Sequence, residues 1–143
     1  MSDATPPQAL VIDDDEDMNS IVGAYVEMSG LGYRSAADAR AGLAEIERWR
    51  PDVVLLDVML PDMDGFEVLR RIRGQASTRE LPVILLTALR DPDSLRRGRE
   101  AGASDYLSKP FDPDALIGAI QRHASASVAR RQANGEPRPL PDL

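Results

Sequence analysis

The stretch Val53-Val54-Leu55-Leu56-Asp57, echoed by Val83-Ile84-Leu85-Leu86-Thr87, decides the fold of this chain. Each run is too short for a helix, and it lacks the polar alternation of a strand with one wet face. A strand that is apolar at every position is covered on both faces, which is the condition of parallel sheets flanked by helices. Two shorter runs, Ala9 to Ile12 and Tyr106 to Leu107, fit the same description.

Helical spacing fills the intervals. Met18, Ile21, Val22, Tyr25 and Val26 step by three and four residues and stop near Ser29-Gly30. Leu43, Ile46 and Trp49 mark a second helix closed by Pro51, and Phe66, Leu69 and Ile72 a third opening after Gly65. Asp91-Pro92 and Asp112-Pro113 open a fourth and a fifth, the last carrying Leu116, Ile117 and Ile120. Arg34 to Ala36 is read as the missing second strand because the alternation demands one there. Asp17 is expected to cap the first helix, and Gly65 to serve a turn with positive φ. Five βα units in about 120 residues make an open α/β sheet, since an eight-unit barrel needs roughly twice that length. The expectation is a three-layer α/β/α sandwich around a five-stranded parallel sheet. Residues 1–7 read as a disordered N-terminus, and residues 124–143 as a flexible tail or truncated linker.

The chain has 143 residues, of which 43% are hydrophobic and 29% charged, enough for one domain with a real core. Lys and Arg total 17 against 24 Asp and Glu, a net charge of -7 that repels nucleic acid phosphates. Direct nucleic acid binding is therefore not expected. No apolar run approaches the ~18 residues of a membrane span, and Met1 to Gln8 is polar, so the expected location is the cytoplasm. The absence of cysteine rules out disulfides and thiolate metal sites.

In open parallel sheets the binding crevice lies beyond the carboxyl ends of the strands. Those positions hold Asp13, Asp14 and Asp15, then Asp57, then Thr87, then Ser108-Lys109-Pro110. An acid ending a doubly covered strand needs compensation, because an unpaired buried charge costs several kcal/mol on the order that desolvation sets. Clustered carboxylates repel one another, and a hard divalent cation removes that conflict; Mg²⁺ suits such a site, with Mn²⁺ as a substitute. Asp57 then qualifies as a nucleophile toward phosphorus, with Lys109 and Thr87 as an ammonium and a hydroxyl facing the phosphoryl oxygens. Asp13 to Asp17 also reads as a solvated acidic loop at a helix N-terminus.

Asp13-Asp14, the run Leu56-Asp57-Val58-Met59-Leu60-Pro61-Asp62-Met63-Asp64-Gly65, Leu86-Thr87-Ala88 and Tyr106-Leu107-Ser108-Lys109-Pro110-Phe111 together resemble the receiver domain of bacterial response regulators. The resemblance covers residues 8–123. It implies a flavodoxin-like strand order 2-1-3-4-5 and a Lys109-Pro110 cis bond. It also implies that Asp14 ligates Mg²⁺ directly, Asp13 acts through water, and Asp57 and the Met59 carbonyl complete the set. Asp57 would take a phosphoryl group from a sensor histidine kinase or phosphotransfer protein. Thr87 and Tyr106 would form the switch that moves the face of helix four, strand five and helix five toward a downstream protein or output domain. The resemblance leaves open a homodimer that forms on phosphorylation. Such a chain is a signalling phosphoacceptor assisting its own phosphorylation and dephosphorylation, not an enzyme.

Three other readings differ in their residues. A degenerate receiver serving only as an interaction module lacks an acid, the threonine or the lysine, and here all are present. A phosphatase of the haloacid-dehalogenase type carries a second acid two residues after its nucleophile, where this chain has Met59. A nucleotide or flavin site carries a glycine-rich loop after the first strand, where this chain has Asp13 to Asp15, which repel phosphate. His123, the only histidine, is assigned no role, and Arg90, Arg96, Arg97 and Arg99 read as a docking patch or a solvated helix face.

Overall fold

The computed structural model describes residues 6–134. In chain order the elements are β1 (Gln8–Ile12), α1 (Glu16–Met28), β2 (Gly32–Ala36), α2 (Ala39–Trp49), β3 (Val53–Leu56) and α3 (Gly65–Arg73). They continue as β4 (Val83–Thr87), α4 (Pro92–Ala101), β5 (Asp105–Ser108) and α5 (Pro113–Asn134). All four strand pairings are parallel, as the apolar runs predict, and the order is β2-β1-β3-β4-β5, as the family resemblance implies.

The continuous apolar strands feed two cores. Leu10, Ile12, Val54, Leu56 and Leu85 point to the face carrying Ile46 and Trp49 of α2 and Phe66, Leu69 and Ile72 of α3. Ala9, Val11, Val53, Leu55, Ile84 and Leu86 point to Val22 and Val26 of α1 and Leu116 and Ile120 of α5. The period-two alternation of Cβ atoms thus divides each run between two wholly apolar surroundings. Each fully buried Leu or Ile contributes about 1.5–3 kcal/mol relative to exposure.

Carboxylates start the helices. Asp38, Asp64 and Asp91 cap α2, α3 and α4 by accepting the amides of Ala41, Phe66 and Ser94. The cap of α1 is Asp15, which accepts from Asp17 and Met18, so the expected Asp17 is one of the acids in the first turn. In a run of acids the capping position depends on where helical dihedrals begin, and they begin at Glu16. Gly65 also differs from expectation. Its backbone is not in the left-handed region; rather, a Cβ there would lie 2.5 Å from Val58 Cα and 2.7 Å from the Asp57 carbonyl oxygen.

The larger correction concerns the ends of the domain. The tail expected from residue 124 is, through Asn134, the second half of α5. Its Ala- and Ser-rich sequence has weak apolar periodicity, but Ala124 is buried and two arginines dock the helix. Arg131 pairs with the fully buried Asp52, whose other oxygen accepts the Gln8 amide at 2.7 Å, and Arg130 donates to the Glu80 carbonyl at 2.7 Å. At the other end the Pro7 carbonyl accepts from Gly32, so Pro6 and Pro7 lead directly into the sheet. The rest of the expected disordered N-terminus and tail, residues 1–5 and 135–143, lies outside the described residues.

Replacing Arg131 with Met removes a charged partner of Asp52 while keeping the aliphatic stem. Arg131→Met is expected to lower the unfolding free energy by about 1.5–3 kcal/mol, the range of hydrogen bonds to charged groups, read from urea titration. A neutral result would show that the end of α5 is not integral to the folded unit.

Candidate functional site

The parallel ladders run one residue past the named strands at their carboxyl ends. Asp13 N donates to the Ala36 carbonyl (3.1 Å) and Asp57 N to the Ile12 carbonyl (2.9 Å), which sets the two acids side by side on adjacent strands. Asp13 and Asp57 are buried, at 4% and 8% exposure, whereas Asp14 is exposed. One carboxylate oxygen from each of Asp13, Asp14 and Asp57 lies within 4.8 Å of the others.

Lys109, the only lysine in the sequence, closes the cluster from the end of β5. Its Nζ donates to Asp13 Oδ2 at 2.7 Å and Asp57 Oδ2 at 3.1 Å. Its amide donates to the Thr87 carbonyl at 2.8 Å, which anchors it to β4, and the following Lys109-Pro110 bond is cis. Burial pulls the lysine pKa down, but the hydrogen bond to Asp13, the charges of Asp57 and Asp13 and the hydrogen bond to Asp57 outweigh it and hold the pKa above the ordinary value. The ammonium therefore stays charged across neutral pH, and its pairing is lost only in strongly alkaline solution.

The remaining carboxylate oxygens point to backbone donors. Asp57 Oδ1 accepts from Met59 N (3.1 Å), and Asp13 Oδ1 from Asp15 N (3.0 Å). Met59 pairs with Asp64 in an isolated antiparallel bridge, and the residue is 59% exposed. Thr87 is fully buried, its Oγ1 accepting from Leu89 N at 3.3 Å, and Tyr106 donates from its hydroxyl to the Leu89 carbonyl at 2.7 Å. Burial, with the negative charge of Asp91, raises the Tyr106 pKa and keeps it a neutral donor.

Asp13, Asp14, Asp57 and Lys109 thus come together, with Met59 beside them, while Thr87 and Tyr106 meet through Leu89. Three oxygen donors of this kind suit a hard divalent cation such as Mg²⁺ or Mn²⁺.

Other residues hold the site in roles that the sequence did not assign to them. Asn19 donates to the Asp13 carbonyl at 2.7 Å. Asp62 accepts from the amides of Ala39 (2.9 Å) and Arg40 (3.0 Å), tying the β3–α3 loop to the start of α2, and those bonds lower its pKa. Arg97 pairs with Asp64 at 3.3 Å and lies 4.5 Å over the Phe66 ring, joining α4 to α3. Arg96 pairs instead with Asp93 and Glu100 along its own helix. His123 faces Asp105 at the start of β5, away from the acidic cluster. No described helix is long and apolar enough to cross a membrane.

A parallel sandwich in this strand order, with an acid cluster and a lysine at its carboxyl edge, defines a class. The chain matches the response regulator receiver domain family over residues 9–121 and belongs to it. Among curated proteins it is 38% identical over 115 residues to the DNA-binding dual master transcriptional regulator RpaA of Synechocystis sp., covering 80% of this chain and 48% of that protein. It is 42% identical over 119 residues to the transcriptional regulatory protein AfsQ1 of Streptomyces coelicolor, covering 81% and 52% respectively. The chain therefore spans about half the length of these relatives. Among solved structures, a putative response regulator from Chloroflexus aurantiacus superposes with a TM-score of 0.80 at 34% identity, covering 85% of this chain and 99% of that one. The chemotaxis protein CheY4 of Vibrio cholerae gives 0.76 at 33%, covering 81% and 97%. The chain is thus a receiver domain of the two-component type, a signalling module whose general family function is to accept a phosphoryl group.

Lys109 neutralises carboxylates that a divalent cation would also neutralise. Lys109→Met is expected to tighten Mg²⁺ or Mn²⁺ binding several-fold by removing that internal competitor, as measured by calorimetric titration at neutral pH. Unchanged or weakened binding would mean that lysine and cation do not share these acids.

Proposed function

We propose that Asp57 takes a phosphoryl group from a sensor histidine kinase or a phosphotransfer protein, with Asp13, Asp14, Asp57 and the Met59 carbonyl holding Mg²⁺. The observation that carries this reading is the buried Asp57 carboxylate, bonded to the sole lysine and within 4.8 Å of the other two acids. Phosphoryl transfer is mostly a matter of positioning and charge stabilisation, and the bound cation supplies charge opposite the phosphoryl oxygens.

In the step itself an Asp57 oxygen forms the new P–O bond as the P–N bond to the donor histidine breaks. The bonding pair returns to the imidazole, and Asp57 becomes an acyl phosphate. Lys109 gives up its pairing with Asp57 and turns to a phosphoryl oxygen. Thr87 turns its hydroxyl to a second oxygen, which withdraws the acceptor from Leu89 N. Because Leu89 also receives the Tyr106 hydroxyl, its rearrangement moves the tyrosine and the α4, β5 and α5 surface toward a downstream protein or output domain. A difference of about 1–3 kcal/mol between the two states shifts their balance roughly 5- to 150-fold. The reading includes a cytoplasmic location and a receiver unit extending at least from Gln8 to His123.

The rim lacks what repeated turnover needs. Met59 and Leu89 offer no group to orient attacking water, so the chain acts as a phosphoacceptor and not as a phosphatase.

With acetyl phosphate and Mg²⁺, the wild-type chain is expected to gain one acid-stable, hydroxylamine-labile phosphoryl group by mass spectrometry, whereas Asp57→Asn gains none. Undiminished labelling of Asp57→Asn would remove Asp57 from its role, and labelling that persists in EDTA would remove the cation. The phosphoryl form is expected to outlast minutes, and decay within seconds would contradict the assignment of Met59 and Leu89.

A further inference from the structure

We propose that Gly98 of α4 is the seat of the Tyr106 ring and sets how readily that tyrosine changes position, an inference resting on the switch reading above. Glycine is a poor residue for a helix interior, so its presence in mid-helix calls for a packing reason. Gly98 is buried on the inner face of α4. A Cβ there would stand 3.0 Å from Leu85 Cδ1 and 3.1 and 3.2 Å from Cδ2 and Cε2 of Tyr106, closer than side chains ordinarily pack. The ring therefore lies against bare helix backbone on one side, while its hydroxyl reaches the Leu89 carbonyl at 2.7 Å.

The two neighbours differ in their freedom to yield. Leu85 is fully buried in the interior strand β4, whereas Tyr106 is only partly buried, at the margin of the same core. A methyl group at position 98 therefore displaces the tyrosine and not the leucine. Displacing the ring strains the hydroxyl bond to Leu89, whose own amide holds Thr87 Oγ1. Through that one peptide-linked residue, the size of the side chain at 98 reaches the threonine beside the acidic cluster.

The test uses tetranitromethane at neutral pH on the full, resting chain without phosphodonor. Nitration proceeds through the phenolate, which burial disfavours at Tyr106. Tyr25 and Tyr33 serve as internal references in the same digest. Gly98→Ala and Gly98→Ser, both better helix formers than glycine, are expected to nitrate several-fold faster at Tyr106 relative to those references, with wild-type circular dichroism. An unchanged or lowered relative rate in both folded variants overturns the seat. Adding acetyl phosphate and Mg²⁺ to the wild type separates the two ideas. A Tyr106 rate that ignores phosphorylation defeats the switch reading alone, while the resting comparison still decides the role of Gly98.

Discussion

The ammonium of Lys109 lies between Asp13 and Asp57, and the carboxyl edge of the sheet is organised around it. Two buried carboxylates at the ends of adjacent strands repel each other and lose hydration, so they can sit together only with a counter-charge. The lysine reaches them from the far edge strand, and its amide is bonded to Thr87 between. One side chain therefore ties β1 and β3 to β5 across β4. A buried ion pair is weak evidence for stability, because desolvation offsets much of the attraction. Its value here is geometric: the acids are held apart from water and close to each other before any ligand arrives.

The loop that follows Asp57 is held with equal care. Gly65 lets the start of α3 come against the Asp57 and Val58 backbone, Asp62 reaches α2, and Asp64 both caps α3 and reaches α4 through Arg97. The turn bearing Met59 is thereby fastened to three helices. By contrast, the Leu89 link between Thr87 and Tyr106 consists of two hydrogen bonds, one of them long at 3.3 Å. The acid-bearing loop is thus fastened at more points than the β4–α4 connection.

Much of this was legible in the sequence for a physical reason. Strands apolar at every position admit only a doubly covered sheet, and a polar residue ending each such strand falls on one rim. Asp57, Thr87 and Lys109 stood out because they interrupt apolar runs. Other features left no such mark. In the acid run from Asp13 to Asp17 the capping residue is chosen by dihedrals, which the sequence does not display, so nothing in the run marks Asp15. Gly65 stands out in the sequence without its cause, since close approach and positive φ both select glycine. The second half of α5 escaped because Ala and Ser show no amphipathic stripe; it is fastened by Arg131 to Asp52, a pair separated by 79 residues. Asn19 meets the Asp13 carbonyl through a contact that only three-dimensional proximity reveals.

The sole lysine also gives the molecule an unusual chemical economy. Its other permanently cationic side chains are arginines, so reagents aimed at primary amines find one side chain in this domain, an ammonium sheltered between two aspartates. Amine coupling through that side chain on a sensor chip would therefore damage the centre under study. The same scarcity makes acylation of Lys109 a footprint of the pocket, readable from a single peptide without any engineered label.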